Sequence, residues 1–221
     1  MMEEYISILI PIHNGIRYIN EALLSVLEQT YTNYEVIIGV NGFKENSEVF
    51  KIADEYSNFD NIKVLDLHFI KGKSNALNHM IKETQYNWIA LLDVDDKWLP
   101  KKLEEQIKYV NKYDVIGTNC KYFGDLNVTP KLPFGDLSEF NFLSYNPIIN
   151  SSCLIKKNLA YWDSSLNALE DYDLWLKLKK ENKKFYNVND VLVLHRIHNE
   201  SAFNTKNNNL ELIEIKKRFN S

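Results

Sequence analysis

Apolar and polar positions along this chain fall into short blocks that switch between a strand period and a helix period. Residues 5–12 (YISILIPI) are β-rich and apolar, stop at Pro11 and the turn-formers His13, Asn14 and Gly15, and predict a first strand. Ile19, Ala22, Leu23, Val26 and Leu27 then recur at helical spacing. Residues 34–40 (YEVIIGV) predict a second strand closed by Asn41 and Gly42, residues 48–56 a helix, and residues 62–67 a third strand. A helix over 74–83 has Ser74 as a candidate cap, residues 88–92 (WIALL) form a strand, and 100–111 a helix with Pro100 at its start, where a missing N–H costs nothing.

Beyond Asn119 the order changes. Residues 121–133 hold turn formers and predict a short strand or hairpin, 151–155 (SSCLI) a strand, 171–180 a helix and 191–195 (VLVLH) another strand. A polar tail from Thr205 through Asn207, Asn208 and Asn209 leads into a short helix. There is no internal repeat, and seven glycines leave little room for a flexible linker. Strand–helix repeats whose strands carry few polar positions imply an α/β domain with a parallel sheet covered on both faces. Ligands of such sheets bind beyond the carboxyl ends of the strands, which directs attention to residues 11–14, 41–42 and 93–96.

Composition narrows the class. The 221 residues are 45% hydrophobic and 25% charged, enough for a core without covalent staples. A net charge of −4 argues against a broad nucleic-acid face, and the basic runs Lys179, Lys180 and Lys216, Lys217, Arg218 read as solvated helix faces. Cys120 and Cys153 each sit in a hydrophobic stretch and read as buried small hydrophobes in a reducing compartment, not as a disulfide or zinc pair. The N-terminus has no signal-peptide core and no apolar run reaches the roughly 18–20 residues of a transmembrane helix. The expectation is a soluble, cytoplasmic chain.

Four polar groups could carry chemistry. Asp93, Asp95 and Asp96 directly follow WIALL, where their mutual repulsion asks for a bound cation such as Mg²⁺ or Mn²⁺; the competing reading is an acidic loop capping the next helix. Glu170, Asp171 and Asp173 open a helix, so either aspartate is a cap or a carboxylate aimed at the same cleft. His195 and His198 end the last strand as candidate metal ligands or as hydrogen-bonded structural histidines. Lys73, in GKSNALN (72–78), sits beside a helix N-terminus where it can meet a phosphate, although the Walker and dinucleotide glycines are absent.

Six segments in order, ISILIPIHNG, LLSVLEQTYTNYEVIIGVNG, GKSNALN, WIALLDVDDKWLPKKLEEQI, LEDYDLWLKL and VLHRIHNESA, resemble glycosyltransferase family 2 of the GT-A fold, from about residue 6 to about residue 201. The resemblance implies a single Rossmann-like domain over 1–221, with a central mainly parallel twisted sheet flanked by helices and a small acceptor-side subregion. It divides into a nucleotide-sugar half (1–119), an acceptor and catalytic-base half (120–204) and a tail helix (205–221). The implied activity is inverting, Mn²⁺- or Mg²⁺-dependent hexosyl transfer, in polysaccharide biosynthesis, from a nucleoside-diphosphate sugar (a UDP-sugar) to a hydroxyl on a glycan, lipid or protein. A homodimer stays open.

Residue by residue, the resemblance places Pro11, His13 and Asn14 against base and ribose, with His13 where a stacking aromatic is common. Asn41 falls where an aspartate reads uracil, and Lys73 near a basic position on the diphosphate. Asp93 matches a ribose- or metal-associated carboxylate, Asp95 the direct metal ligand, Asp171 the base of the Glu-Asp motif, and His198 a late histidine completing the metal shell. Val40, Asn41, Gly42 and Phe43 replace the usual Asp-Asp-Gly-Ser. The Asn41 carbonyl can still accept from N3–H of uracil or thymine, while its amide can donate to N3 of cytosine. That departure keeps open a catalytically silent nucleotide-sugar-binding module. A nucleotidyltransferase is the other alternative, for which residues 12–17 supply little of the glycine-rich basic loop. The acceptor would meet residues 121–150, with Trp162 and Trp175 weighed as sugar platforms against a favoured core reading.

Overall fold

The computed structural model describes residues 4–166, 168–199 and 209–220. The polar stretch 205–208 and the end of the last motif, 200–202, lie outside the described residues. Strands β1 (Ile6–Ile12), β2 (Tyr34–Asn41), β3 (Ile62–Leu67) and β4 (Trp88–Leu91) pair in parallel in the order β3-β2-β1-β4. Ile6 registers against Tyr34 on one side and Trp88 on the other.

The two-residue period of β1 explains why the strand is apolar throughout. Ile6, Ile8, Ile10 and Ile12 face a core that includes Ala22, Leu23 and Val26 of α1 (Ile19–Leu27). Leu9 faces the opposite core, with Ala76, Leu77 and Met80 of α3 (Lys73–Met80; α2 is Glu48–Asp54). Trp162 and Trp175 are both wholly buried in this second core, so the core reading of these tryptophans holds.

Beyond β4 the pairing becomes mixed, within the mainly parallel sheet that the resemblance implies. Strand β8 (Leu154–Lys156) runs antiparallel to both β4 and β6 (Val115–Gly124), while β6 pairs in parallel with β9 (Phe185–Ile197). The short strands β5 (Lys97–Trp98) and β7 (Gly135–Asp136) run antiparallel to β9. The sheet is therefore mixed and mostly parallel, and β6 runs through residues 119 and 120.

Several boundaries move for identifiable reasons. Helix α4 (Lys102–Ile107) starts after Pro100, because the Leu99 N–H still donates to Leu192 O as the β5 pairing continues. In α3, Gly72 at φ 83 precedes the first turn, and Ser74 lies inside the helix and caps nothing. The SSCLI run opens as a 3₁₀ turn (Asn150–Ser152), since the Ser152 hydroxyl bonds back to Ile149 O at 2.7 Å. Helix α5 (Glu170–Lys180) follows Leu169 at φ 57, so neither Asp171 nor Asp173 is its cap. The last helix, α6 (Asn209–Phe219), packs Ile215 into the second core.

Cys120 and Cys153 are free and fully buried, and burial pushes the Cys120 thiol up to about 12 and that of Cys153 upward as well. Among the described residues no helix is long and apolar enough to cross a membrane.

Candidate active site

The strand ends converge as the parallel half of the sheet requires. His13 and Asn14 are exposed just past β1, above buried Pro11. His13 Nδ1 lies 3.2 Å from Asn41 O, and a Cβ on Gly42 would stand 2.2 Å from that nitrogen. Gly42, at φ 84, thus supplies both the left-handed turn and the space for the imidazole. Asn41 is 1% exposed, and its Nδ2 leans toward Ile70 O and Gly72 O at 3.5 and 3.4 Å. Its Oδ1 is buried with no hydrogen-bond partner in the protein.

Lys73, the first residue of α3, places Nζ 2.6 Å from Asp93 Oδ1 and 3.5 Å from Glu170 Oε1. Burial pushes its ammonium down, but Asp93 and Glu170 push it up further, so it stays a cation. Burial likewise raises Asp93, and Lys73 with Asn150 overcompensates, so its carboxyl lies below the usual range. Asn150 Nδ2 reaches both Asp93 oxygens, at 3.2 and 3.1 Å, and the Asp93 N–H donates to Ser151 Oγ at 3.1 Å.

The other two aspartates of the loop face different ways. Asp95 Oδ2 meets His198 Nε2 at 2.9 Å. Burial, Asp96 and Asp93 all raise the Asp95 carboxyl, while His198 opposes them. The Asp96 carboxylate points inward instead: Oδ2 accepts from Ser151 Oγ at 2.5 Å and lies 2.9 Å from His195 Nδ1, and Oδ1 accepts the Arg196 N–H at 2.8 Å. Burial lowers His195, but Asp96 outweighs it and lifts the imidazole to about 9. The structural reading therefore fits His195, and His198 is the histidine beside Asp95. Arg196 locks this arrangement, donating from Nε to Asp95 O at 2.9 Å with its guanidinium 4.3 Å from the Tyr18 and Phe123 ring centres.

Asp171 lies in the first turn of α5, where Oδ2 accepts from Asn146 Nδ2 at 3.0 Å. Burial and the neighbouring Glu170 push its carboxyl up to about 6, against the pull of Lys73. The structure thus gathers Asp93, Lys73 and Glu170, next to Asp171, into one group, Asp95 and His198 into a second, and His13 and Asn41 into a third. Sequence reading missed Asn146, Asn150 and Ser151. Their only signal is a set of uncharged polar side chains interleaved with Pro147, Ile148 and Ile149 just before SSCLI.

Among the described residues no group of three or more His, Cys, Asp or Glu is gathered as a metal cage. The Asp95–His198 pair still suits Mg²⁺ or Mn²⁺, which take one or two protein ligands and complete their shell with water and substrate phosphate. Burial first, and then the neighbouring Asp96 and Asp93, raise the Asp95 carboxyl, and a bound cation would favour its ionised form.

A mostly parallel sheet carrying an Asp-rich loop after β4 and an acidic helix start beside it defines a GT-A-type α/β domain. The model of Glycosyl transferase family 2 matches residues 7–166, and the chain belongs to that family. The O-antigen biosynthesis glycosyltransferase WbnJ of Escherichia coli is 31% identical over 217 residues, covering 90% of this chain and 82% of WbnJ. The E. coli UDP-Glc:alpha-D-GlcNAc-diphosphoundecaprenol beta-1,3-glucosyltransferase WfgD is 30% identical over 186 residues, covering 82% of this chain and 72% of its own. Among solved structures, S. aureus TarS 1-349 in complex with UDP-GlcNAc superposes with a TM-score of 0.77 at 17% identity. That match covers 96% of this chain, which spans 65% of the TarS chain.

Proposed function

We propose that this glycosyltransferase is an inverting, metal-dependent enzyme of the cytoplasm that moves a hexose from a UDP-sugar to a hydroxyl of a lipid-linked glycan in polysaccharide assembly. The observation that carries the reading is the partly buried Glu170–Asp171 start of α5 set against the Lys73–Asp93 ion pair, with Lys73 Nζ 2.6 Å from Asp93 and 3.5 Å from Glu170. That combination sets a proton acceptor next to a cation suited to phosphate. The names of WfgD and of the TarS complex, with their UDP-sugars and the diphosphoundecaprenol acceptor, support the donor and acceptor classes.

In this reading His13 stacks on the base and Asn41 Oδ1, which lacks a partner, accepts from uracil N3–H. Lys73 pairs with the diphosphate. Asp95 and His198 would hold a divalent cation, which would supply Lewis-acid stabilisation to the departing diphosphate. Asp171 takes the proton as the acceptor oxygen bonds to the anomeric carbon. The sugar–phosphate bond breaks on the opposite face and its electron pair leaves with UDP, so the anomeric centre inverts. The test is a thermal-shift panel of UDP, GDP and CDP and their hexose conjugates with Mn²⁺, Mg²⁺ or EDTA. A metal-dependent rise with the uridine compounds supports the reading, and no shift with any of them would leave a module without a donor site.

A further inference from the structure

The segment 146–151 touches three acidic side chains, Asp93 and Asp96 of the loop after β4 and Asp171 of α5. Asn146 Nδ2 donates to Asp171 Oδ2 at 3.0 Å, Asn150 Nδ2 donates to both oxygens of Asp93, and Ser151 Oγ donates to Asp96 while accepting the Asp93 N–H. The orientation of the first amide is fixed by its own turn. Asn146 Oδ1 accepts the Ile148 N–H at 3.2 Å, which leaves only Nδ2 to face Asp171.

The same segment and Ser152, which follows it, are anchored from behind by three different elements. Asn187 of β9, fully buried, donates to Pro147 O at 2.8 Å. Trp98 of β5 donates from Nε1 to Ser151 O at 2.7 Å, and Gln106 of α4 donates to Ser152 O at 2.8 Å. Opposite it, the Tyr172 hydroxyl of α5 bonds Phe142 O at 2.5 Å, tying the preceding loop to the helix that carries Asp171. A segment with so many fixed backbone groups has little freedom to let either amide drift.

We infer that residues 146–151 are a positioning brace, in which the Asn146 amide aims the Asp171 carboxylate at the acceptor hydroxyl while Asn150 holds Asp93 on the donor side. The role given to Asn146 rests on the reading of Asp171 as the base. The brace fixes the separation of the two carboxylates through one rigid support. In this reading Asn146 acts through Asp171 as a positioning residue. The charged and titratable groups around Asp171 are Glu170 on α5, Lys73 on α3 and Cys153 before β8. The uncharged donors to this carboxylate are the Tyr172 N–H of its own helix and the Asn146 amide.

The test is carboxylate NMR of the full chain labelled with ¹³C at aspartate, with the Asp171 signal assigned by its loss in Asp171→Asn. Asn146→Ala removes the amide; Asn146→Asp keeps the size and the acceptor for Ile148 N–H, so it preserves the turn if the alanine variant folds poorly. We expect the Asp171 midpoint to rise by about one pH unit in Asn146→Ala and by more in Asn146→Asp, because a donor to the charged form has been lost. In the same variants, UDP release from UDP-glucose should lose kcat with its acid limb moved upward, while KM for the donor stays unchanged. An Asp171 midpoint identical in wild type and both variants would overturn the brace. Wild-type transfer by Asp171→Asn would instead remove the base assignment, and the NMR titration would still decide whether Asn146 holds that carboxylate.

Discussion

His198 and Asp95 meet at 2.9 Å, imidazole Nε2 to carboxylate Oδ2, across 103 residues of chain. Nothing local brings them together. Asp95 is set by the loop after β4, and His198 by the end of β9, whose backbone is pinned to that same loop through Asp96. The pair should therefore fail as a unit. Asp95→Ala and His198→Ala are each expected to abolish the Mn²⁺-dependent part of UDP binding, read as the difference in melting temperature with Mn²⁺ and with EDTA. Equal shifts in both conditions, as large as wild type, would remove these residues from the metal assignment.

Asp171 separates binding from chemistry. Asp171→Asn should keep donor affinity and lose about 10²–10⁴-fold in turnover, the usual worth of a positioned base. Because its carboxyl is raised to about 6 and the base form is the ionised one, wild-type turnover should fall as pH drops through about 6 and level off about one pH unit above it. A profile flat down to pH 5 would move the proton acceptor to another group.

Asn41 should govern the choice of base. Asn41→Asp places a carboxylate against the Ile70 and Gly72 carbonyls, so the empty protein should melt at a lower temperature. The same charge strengthens acceptance from uracil N3–H, so affinity should move toward UDP relative to GDP and CDP. Isothermal titration with the three nucleotides measures this, and unchanged ratios would mean that Asn41 does not read the base.

Lys102 should write a pH dependence into stability. It is fully buried, 3.8 Å from the Trp98 ring centre, with Nζ donating to Gln106 Oε1 at 2.8 Å. Burial pushes its ammonium down from 10.5 to about 7. Between those two values the unfolded chain binds more protons than the folded one, so this contribution grows with rising pH and is lost as pH falls through about 7. Lys102→Met should flatten the slope of unfolding free energy against pH in that window. An identical slope in the variant would assign it to other groups.

The parallel half of the fold was legible because β1 to β4 obey a simple rule: apolar runs, each followed by a turn and an amphipathic helix. The same rule pointed to His13, Asn41 and Asp93 at strand ends. It could not find Asn146, Asn150 or Ser151, because β8 runs in reverse and brings its beginning, not its end, to the site. Asp96 was unreadable for a different reason. Asp95 and Asp96 are adjacent and chemically identical, and only the approach of Ser151 and His195 from distant segments decides which one is buried. Short edges such as β5 carry too few residues for a period to show.

The two native thiols have a practical corollary. Cys120 and Cys153 are sealed in the interior and held as thiols far above neutral pH, so an alkylating dye finds neither in the folded protein. A fluorophore attached through Lys44→Cys, on the exposed turn between β2 and α2, would then be the sole label. Occupancy of the nearby cleft could be followed in real time without first stripping the natural cysteines from the core.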